Sequence, residues 1–289
     1  MEREVWKRIL AFLARGANTE VGGRFTFSTR EVALTFLWAV LHDRPVSWAC
    51  NPAHWPADLR PARLPTPSTL SRRLRRPSLA ALLEGAHRRL RQGAARGLLH
   101  IVDGKPLPIG NHSHDRDAGY GRGAGGQARG YKLHVIAGKN MQFRAWCVTP
   151  MQHSEPRVAA QMLRRVQLNG YLLGDRLFDD NGLHETCRRR GLQLLAARRY
   201  GPGRGLGHHR HSPARLRAIE LLEHSQTGFG PLLLRERRRI ESLFGALTSA
   251  PYGLHALPPW VRRRSRVERF VSAKILIFSL AQSLRKSAR

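Results

Sequence analysis

Short apolar runs typical of buried β-strands begin near residue 98, and they constrain the fold more than any other feature of the sequence. The predicted strands are 98–102, 132–137, 142–148, 171–173 and 192–196. A helix is predicted to open at Ser154-Glu155-Pro156, with proline in its first turn, and another to cover about 180–190. Strands that come first and then alternate with helices predict a mixed α/β domain.

The first 96 residues have a helical pattern instead. Ser28 and Glu31 have the spacing of a capping box, and the apolar residues that follow predict a strong helix. Two further helices are predicted over 68–76 and 79–90. We therefore expect an all-helical N-terminal domain over 1–96. An α/β domain over 97–289 should follow, with a basic insertion around 198–230.

The chain is strongly basic, with 50 Lys and Arg residues against 20 Asp and Glu and a formal net charge of +30. Hydrophobic residues make up 42% of the sequence, so the charge does not belong to an apolar-poor, disordered tail. A charge of this size repels itself and indicates a polyanionic partner. We expect a folded protein that faces nucleic acid.

Several other classes of protein are not expected. The sequence has no run of about 18 apolar residues that could span a bilayer. Its N-terminus lacks the apolar core of a signal peptide. Cys50, Cys147 and Cys187 are odd in number and widely spaced, which supports neither a disulfide framework nor a zinc ribbon. We expect an intracellular protein with reduced cysteines.

Three acidic residues stand out in so basic a chain. Asp103 and Asp175 each follow a predicted strand directly, and Glu241 borders the apolar stripe of a predicted helix over 237–248. Carboxylate oxygens bind hard divalent cations, and two such cations can catalyse displacement at a phosphodiester. We hypothesise that the three carboxylates converge on one rim of the sheet.

Each of these acids also has a structural interpretation. An aspartate after a strand is often a turn former or a helix N-cap, and Glu241 alone would more often be a solvated partner of neighbouring arginines. Spacing alone does not decide which acids belong to the site. Other acids lie nearby in the sequence, namely Asp115, Asp117, Asp179, Asp180 and Glu236.

The segment 66–76 is a candidate DNA-recognition helix. Leu70 and Leu74 would face inward, which leaves Arg72 and Arg73 facing outward as DNA contacts. A basic, solvated helix is the alternative interpretation.

Two further segments are expected to be loops. The glycine-rich stretch 121–130, within a longer loop over 111–130, has no strand or helix placed to form a phosphate cradle, so we expect a flexible active-site loop. The cluster His208–His211 fits no defined metal site and is expected to be a basic loop near DNA.

Five sequence blocks occur in order in the second part of the chain. They are Ile101–Gly104, Gly130–Val135, Val148–Pro150, Leu173–Arg176 and Arg237–Phe244. This ordered set resembles the successive blocks of bacterial insertion-sequence DDE transposases, of the group that contains insertion-sequence families four and five. The resemblance extends over roughly half the chain.

The resemblance implies an RNase H-like catalytic domain, the retroviral-integrase fold, with a mixed sheet flanked by helices. It also implies two Mg²⁺ ions, for which Mn²⁺ is a possible substitute. Carried over to the matching positions, Asp103, Asp175 and Glu241 are the catalytic, metal-binding acids. The helical domain over 1–96 would then serve DNA binding or dimerisation.

The resemblance implies DNA contacts as well. Arg237 matches an arginine that meets transposon-end DNA, and Lys132 and His134 match a Lys-Leu-His block. A strand with outward polar residues is the alternative for that block. Leu234 and Thr248 stand where the family signature usually has a tyrosine and a lysine.

The function that the resemblance implies is cut-and-paste DNA transposition. Water activated at the metals would cleave the transposon end, and the exposed 3′-OH would attack target DNA. The implied partners are double-stranded DNA, as terminal inverted repeats and target, and a second copy of the chain. The implied location is the bacterial cytoplasm, at the nucleoid. Two alternatives stay open: a decayed or domesticated transposase that only binds DNA, and a metal-dependent nuclease of the same fold.

Overall fold

The structure, a computed structural model, describes residues 2–16, 25–92, 97–110, 113–123, 125–200, 205–206, 211–224, 226–249 and 253–287. The chain divides into two compact units. Unit 1 comprises Met1–Gly93 and Leu247–Arg289, and unit 2 comprises Ala94–Ala246. The sequence predicts one domain over 97–289, whereas the structure groups the segment from Leu247 onward with the helical N-terminal part.

Helices and strands follow one another in an order close to the predicted one. The helices are α1 (Glu2–Ala14), α2 (Thr29–Leu41), α3 (Val46–Ala49), α4 (Pro67–Arg73), α5 (Pro77–Gln92), α6 (Glu155–Leu163), α7 (Asn181–Arg188), α8 (Pro213–Ile219), α9 (Phe229–Arg235), α10 (Arg239–Ser249) and α11 (Arg264–Ser287). The strands are β1 (Leu99–Pro108), β2 (Gly119–Gly123), β3 (Gly126–Gly138), β4 (Phe143–Pro150), β5 (Gly170–Gly174) and β6 (Leu192–Ala196).

In unit 1, the central helix α2 begins at the predicted capping box. The Ser28 hydroxyl accepts a hydrogen bond from the Glu31 backbone N–H at 3.2 Å, and the Glu31 carboxylate accepts one from the Ser28 N–H at 2.7 Å. Most of α2 is buried, and Trp38 packs on Trp6 and Trp55 with ring centroids 4.9 and 4.5 Å away. The N-cap therefore fixes the start of the helix on which this core is built.

The long helix α11 explains why the C-terminal segment belongs to unit 1. It packs against α1, α2 and α5, and residues around most of its circumference are buried between Val267 and Leu280. A helix that is apolar on nearly all sides needs neighbours on all sides. Within it, the buried Lys274 ammonium binds the Asp43 carboxylate at 2.9 Å.

Unit 2 is built on a mixed six-stranded sheet. The strand order is β2-β3-β1-β5-β6, and β4 pairs with β3 off this path. The pairs β1–β5 and β5–β6 are parallel, whereas β3 is antiparallel to β1, β2 and β4. Helices α6 and α7 cover the sheet over a core that includes Val102, Ile136 and Leu172. The predicted mixed α/β architecture, a sheet flanked by helices, is confirmed.

The expectation of a flexible glycine-rich loop over 121–130 is wrong. This stretch forms the hairpin of β2 and β3, which pair in antiparallel register from Gly119–Gly130 to Gly123–Gly126. At Gly130, a Cβ atom would collide with the Leu107 carbonyl oxygen on β1. The glycine is thus needed for close strand approach, and backbone hydrogen bonds hold a segment that lacks the side-chain pattern of a strand.

The segment 198–230 contains α8, a π-helical turn at Glu220–His224 and the start of α9. Within the predicted His208–His211 cluster, positions 208–210 lie outside the described residues. Among the described residues, we find no helix of the length and apolarity needed to cross a membrane.

Removing the N-cap of α2 should destabilise unit 1. We expect Ser28→Ala to lower the free energy of unfolding by about 1 kcal/mol, because the Glu31 N–H then loses its acceptor. Urea denaturation followed by Trp fluorescence measures this change. Ser47→Ala, at an exposed serine in α3, is the control and should change stability by less than about 0.5 kcal/mol. Equal effects of the two substitutions would contradict the capping interpretation.

Candidate active site

Asp103 and Asp175 lie at the same end of two neighbouring parallel strands. Ile101 on β1 pairs with Leu173 on β5, so each aspartate stands two residues beyond a paired position. Neighbouring strands are about 4.8 Å apart, so this register places the two aspartates side by side. Asp103 does not follow its strand as predicted, because β1 continues to Pro108 in pairing with β3.

Burial shapes the chemistry of Asp103. Desolvation raises the pKa of its carboxyl to about 6, even though the Gly104 N–H donates a hydrogen bond to it at 2.7 Å. The negative charges of Asp175 and Glu155 raise this pKa further, and the positive charge of Arg237 lowers it. A partly buried carboxyl among other carboxylates is a marker of functional sites.

Asp175 begins a 3₁₀ turn at Arg176–Phe178. Its carboxylate accepts a hydrogen bond from the Leu177 N–H at 2.8 Å, so it is an N-cap as well as a candidate ligand. The structural interpretation of this aspartate and the functional one are therefore compatible, since the cap uses one carboxylate oxygen.

Glu241 has a different environment. It lies in the first turn of α10, its side chain is 63% exposed, and its carboxylate is 3.5 Å from the Arg237 guanidinium. Arg237 lies in the 3₁₀ turn Glu236–Arg238, which an ion pair from Glu236 to Lys139 links to the end of β3. Arg237 is thus close to Glu241 while its charge also acts on Asp103.

The expected convergence of three carboxylates is therefore seen for the two aspartates only. Across the described part of the chain, no three His, Cys, Asp or Glu side chains are close enough together to hold a metal ion. The Arg237 guanidinium lies beside the Glu241 carboxylate. If the three carboxylates converged, a metal ion would be the partner of Glu241 instead. For Glu241, the structure therefore has the alternative arrangement, a solvated ion pair with a neighbouring arginine.

Glu155 is an acidic neighbour of Asp103 that sequence reasoning missed. It opens α6, and its carboxylate binds the Lys132 ammonium at 2.5 Å with both side chains largely buried. A Cβ atom at Gly104 would lie 3.1 Å from a Glu155 oxygen, which shows how closely this side chain approaches β1. In the sequence, Glu155 reads only as a favourable residue in the first turn of a helix.

His134 lies within the sheet and not on its surface. The imidazole is buried, its Nε2 is 2.9 Å from the Thr149 hydroxyl on β4, and burial together with the charge of Lys132 lowers its pKa to about 3. The ring is therefore neutral and has no access to DNA in this structure. Its hydrogen bond joins β3 to β4.

The two arginines predicted on the outer face of the recognition helix differ in the structure. Arg72 is exposed on α4, as predicted, but Arg73 is buried. The Arg73 guanidinium donates to the Thr29 hydroxyl at 3.3 Å and stacks over the Phe25 ring at 4.1 Å. The outward placement of Arg73 is wrong because these partners come from α2 and the segment before it.

Comparison with family models gives a match over more than half of the chain. A family model described as the transposase DDE domain matches residues 96–280. The chain belongs to this family of DDE transposases. The family expected from the five sequence blocks is thereby confirmed.

Among solved structures, this transposase is similar to one described as the piggyBac transposase synaptic complex with hairpin DNA, determined by cryo-electron microscopy. The sequence identity is 9% and the TM-score 0.46, and the match covers 99% of this chain and 73% of that chain. A search of curated proteins gives no significant match.

In this transposase, a buried ion pair fixes the turn that carries Asp175. Asp179 ends the turn, and Arg215 of α8 donates to both of its carboxylate oxygens at 2.7 Å. Burial alone would raise the pKa of Asp179, but the Arg215 hydrogen bonds hold it well below its usual range. Asp180, the next residue, caps α7, and its carboxylate accepts a hydrogen bond from the Leu183 N–H at 2.9 Å.

Breaking this pair should destabilise unit 2. We expect Arg215→Ala to lower the free energy of unfolding by about 3 kcal/mol, because it leaves the Asp179 carboxylate buried without its main partner. Thermal unfolding of the two variants measures the difference. Arg217→Ala, at an exposed arginine on the same helix, should cost less than about 0.5 kcal/mol, and a similar loss in both variants would contradict the role of the pair.

The raised pKa of Asp103 predicts a pH-dependent gain in stability on its neutralisation. Its pKa is about 6 in the folded chain, against 3.8 for an unperturbed aspartate, so its ionisation opposes folding. Below about pH 4, Asp103 is protonated in the folded chain, so Asp103→Asn should give no gain in stability by removing its charge. It should stabilise the metal-free chain by about 1–3 kcal/mol above pH 6.

Urea denaturation at several pH values in a chelating buffer measures this gain. Glu220→Gln, at an exposed acid of unit 2, serves as the control and should be neutral throughout. The raised pKa would be contradicted if Asp103→Asn changed the free energy of unfolding by the same amount at pH 4 and at pH 7.

Proposed function

We propose that this transposase performs cut-and-paste transposition, with metal-dependent cleavage of the transposon end and transfer of the 3′-OH strand to target DNA. The observation that carries the proposal is the register of β1 and β5, which sets Asp103 beside Asp175 in a chain of net charge +30. A small acidic centre within a basic protein suits chemistry on a phosphate backbone that must also bind divalent cations.

The chemistry of the two aspartates fits a divalent cation. Asp103 and Asp175 would hold it through carboxylate oxygens, the ligands that Mg²⁺ and Mn²⁺ prefer, and Glu241 would join them only after leaving Arg237. When bound, two such cations lower the pKa of water and stabilise the attacking and leaving oxygens. The raised pKa of Asp103 supports this role, because a cation would offset the charges of Asp175 and Glu155.

The basic residues near the aspartates would position the DNA. Arg237, whose charge already acts on Asp103, would bind a phosphate next to the cleaved bond. Lys132 lies on β3, next to β1, and is paired with Glu155. Once released from Glu155, its ammonium group would bind a second phosphate. Arg72 is exposed on α4 of unit 1, and we propose that it contacts the DNA backbone. Arg73 on α4 and His134 on β3 are buried, so we do not propose them as DNA contacts.

A hydrolysis and a transesterification, both at phosphorus, make up the proposed reaction. In the first, water attacks the phosphorus at the transposon end, a P–O bond forms, and the bond to the 3′ oxygen breaks to leave a 3′-OH. In the second, that hydroxyl attacks a phosphorus of the target strand and displaces a target 3′ oxygen. No covalent bond to the protein forms in either step.

The partners and setting of the reaction belong to the same proposal. We infer that the DNA is double-stranded, with terminal inverted repeats and target DNA bound by a homodimer at the nucleoid. We also assign the catalytic unit an RNase H-like fold. Support for that assignment comes from the antiparallel β3 beside the parallel strands β1, β5 and β6, with α6 and α7 on the sheet.

One observation favours a second function. The Glu241 carboxylate is largely exposed and paired with Arg237, and Leu234 and Thr248 replace two residues of the family signature. A chain in which this arrangement persists on DNA would bind transposon ends without cutting them. A third possibility, a nuclease of the same fold, would cut DNA without strand transfer.

Substitution of the acids tests the proposed reaction. Full-length protein, Mg²⁺ and the DNA that flanks its gene should yield 3′-OH ends and strand-transfer products. Asp103→Asn, Asp175→Asn and Glu241→Gln should each abolish both products while DNA binding survives, and the exposed-surface variant Glu220→Gln should keep both. Full cleavage by Glu241→Gln would remove that residue from the site. Binding without any cleavage by the parent chain would support the second function.

A further inference from the structure

Unit 1 contains a small cavity whose lining is partly aromatic and aliphatic. Its volume is about 160 Å³, and α2, α4, α11 and the segment before α11 surround it. The buried apolar residues of its lining are Phe36, Val40, Leu74, Val261 and Phe270. Trp260 also contributes to the lining and is 39% exposed. An exposed indole at an apolar cavity offers a flat face to a ligand.

Four arginines line the same cavity. Arg44, Arg75 and Arg266 are exposed, and Arg269 is half-buried. Burial and then the positive charges of Arg266 and Arg75 lower the pKa of Arg269, whereas the charge of Glu268 raises it by a smaller amount. The nearby acid, Glu268, binds Arg264 at 2.8 Å. Among described residues, none of the four arginines has a carboxylate within ion-pair distance.

This combination narrows the chemistry of a ligand. A cavity near 150 Å³ holds one small aromatic ring, whereas sites for drug-sized molecules are at least twice as large. The arginines favour an anion, and their planar forks suit phosphate oxygens. A ligand with one flat ring and an adjoining phosphate satisfies both parts of the lining, and stacking on aromatic side chains beside basic residues is how proteins hold unpaired nucleotides.

We propose that this cavity, which we call the nucleotide cavity, binds one unpaired nucleotide of a DNA strand. The base would insert against Trp260 and the apolar lining, and the flanking phosphates would bind Arg75, Arg266 and Arg269. The choice of DNA as the source of the nucleotide rests on the proposed function. The cavity lies within unit 1 and shares no residue with the aspartate site of unit 2.

Trp260 provides a direct readout of binding. In a chelating buffer that prevents cleavage, a short single-stranded oligothymidylate should quench Trp fluorescence of the full-length chain, and Trp260→Phe should lose that quenching. A blunt-ended duplex of the same strand with its complement should quench much less, because all of its bases are paired. Thymidine without phosphate and inorganic phosphate alone should each bind more weakly than the oligonucleotide, and thymidine monophosphate should compete with it.

Charge-matched variants separate this cavity from general attraction to a basic protein. Arg266→Gln and Arg75→Gln each remove one exposed positive charge and should weaken oligothymidylate binding about tenfold. Arg8→Gln removes the same charge from the exposed face of α1 and should weaken it less than twofold. Thermal unfolding checks that all three variants are folded.

Three results would overturn the proposal. They are equal losses in Arg266→Gln and Arg8→Gln, quenching that persists in Trp260→Phe, and equal quenching by single-stranded and duplex DNA. A parent chain that cleaves DNA but shows any of these results would refute the cavity and leave the proposed function intact. A chain that shows the Trp260 signal but never cleaves would refute the reaction and leave the cavity.

Discussion

The parallel pairing of β1 with β5 is the constraint on which the candidate site depends. Three backbone-paired positions, from Leu99–Tyr171 to Ile101–Leu173, fix the register of two strands that are about 70 residues apart in the chain. A slip of one residue would send the two aspartates to opposite faces. Two further interactions stabilise this arrangement. Strand β3 pairs with β1 along the length of β1, and the Arg215–Asp179 ion pair fixes the turn after β5.

The same features were accessible to sequence reasoning wherever the signal was local. The capping box of Ser28 and Glu31 needs only residues three apart, and it is present as predicted. The apolar runs before Asp103 and Asp175 predicted two strands ending in acids, although β1 extends five residues beyond Asp103 in the structure. Arg237 and Glu241 are four residues apart, and this spacing predicts their contact as the structural alternative to a metal ligand.

Contacts between distant segments escaped prediction. The helical pattern places Arg73 outward as a DNA contact, but the acceptor of its hydrogen bond is Thr29, which lies 44 residues away in the sequence. Glu155 and Lys132 form an ion pair because α6 packs against β3, and the local sequence around either residue does not predict this contact. The β2–β3 hairpin is rich in glycine, so backbone pairing and close approach to β1 decide its structure without a side-chain signal.

We propose above that Asp103 and Asp175 together form the site for a divalent cation. Titration of the chain with Mn²⁺, with free Mn²⁺ followed by electron paramagnetic resonance, measures occupancy of this site. We expect the parent chain and Glu220→Gln to take up Mn²⁺, and Asp103→Asn and Asp175→Asn both to lose this uptake. Uptake by Asp103→Asn equal to that of the parent chain would contradict the proposal.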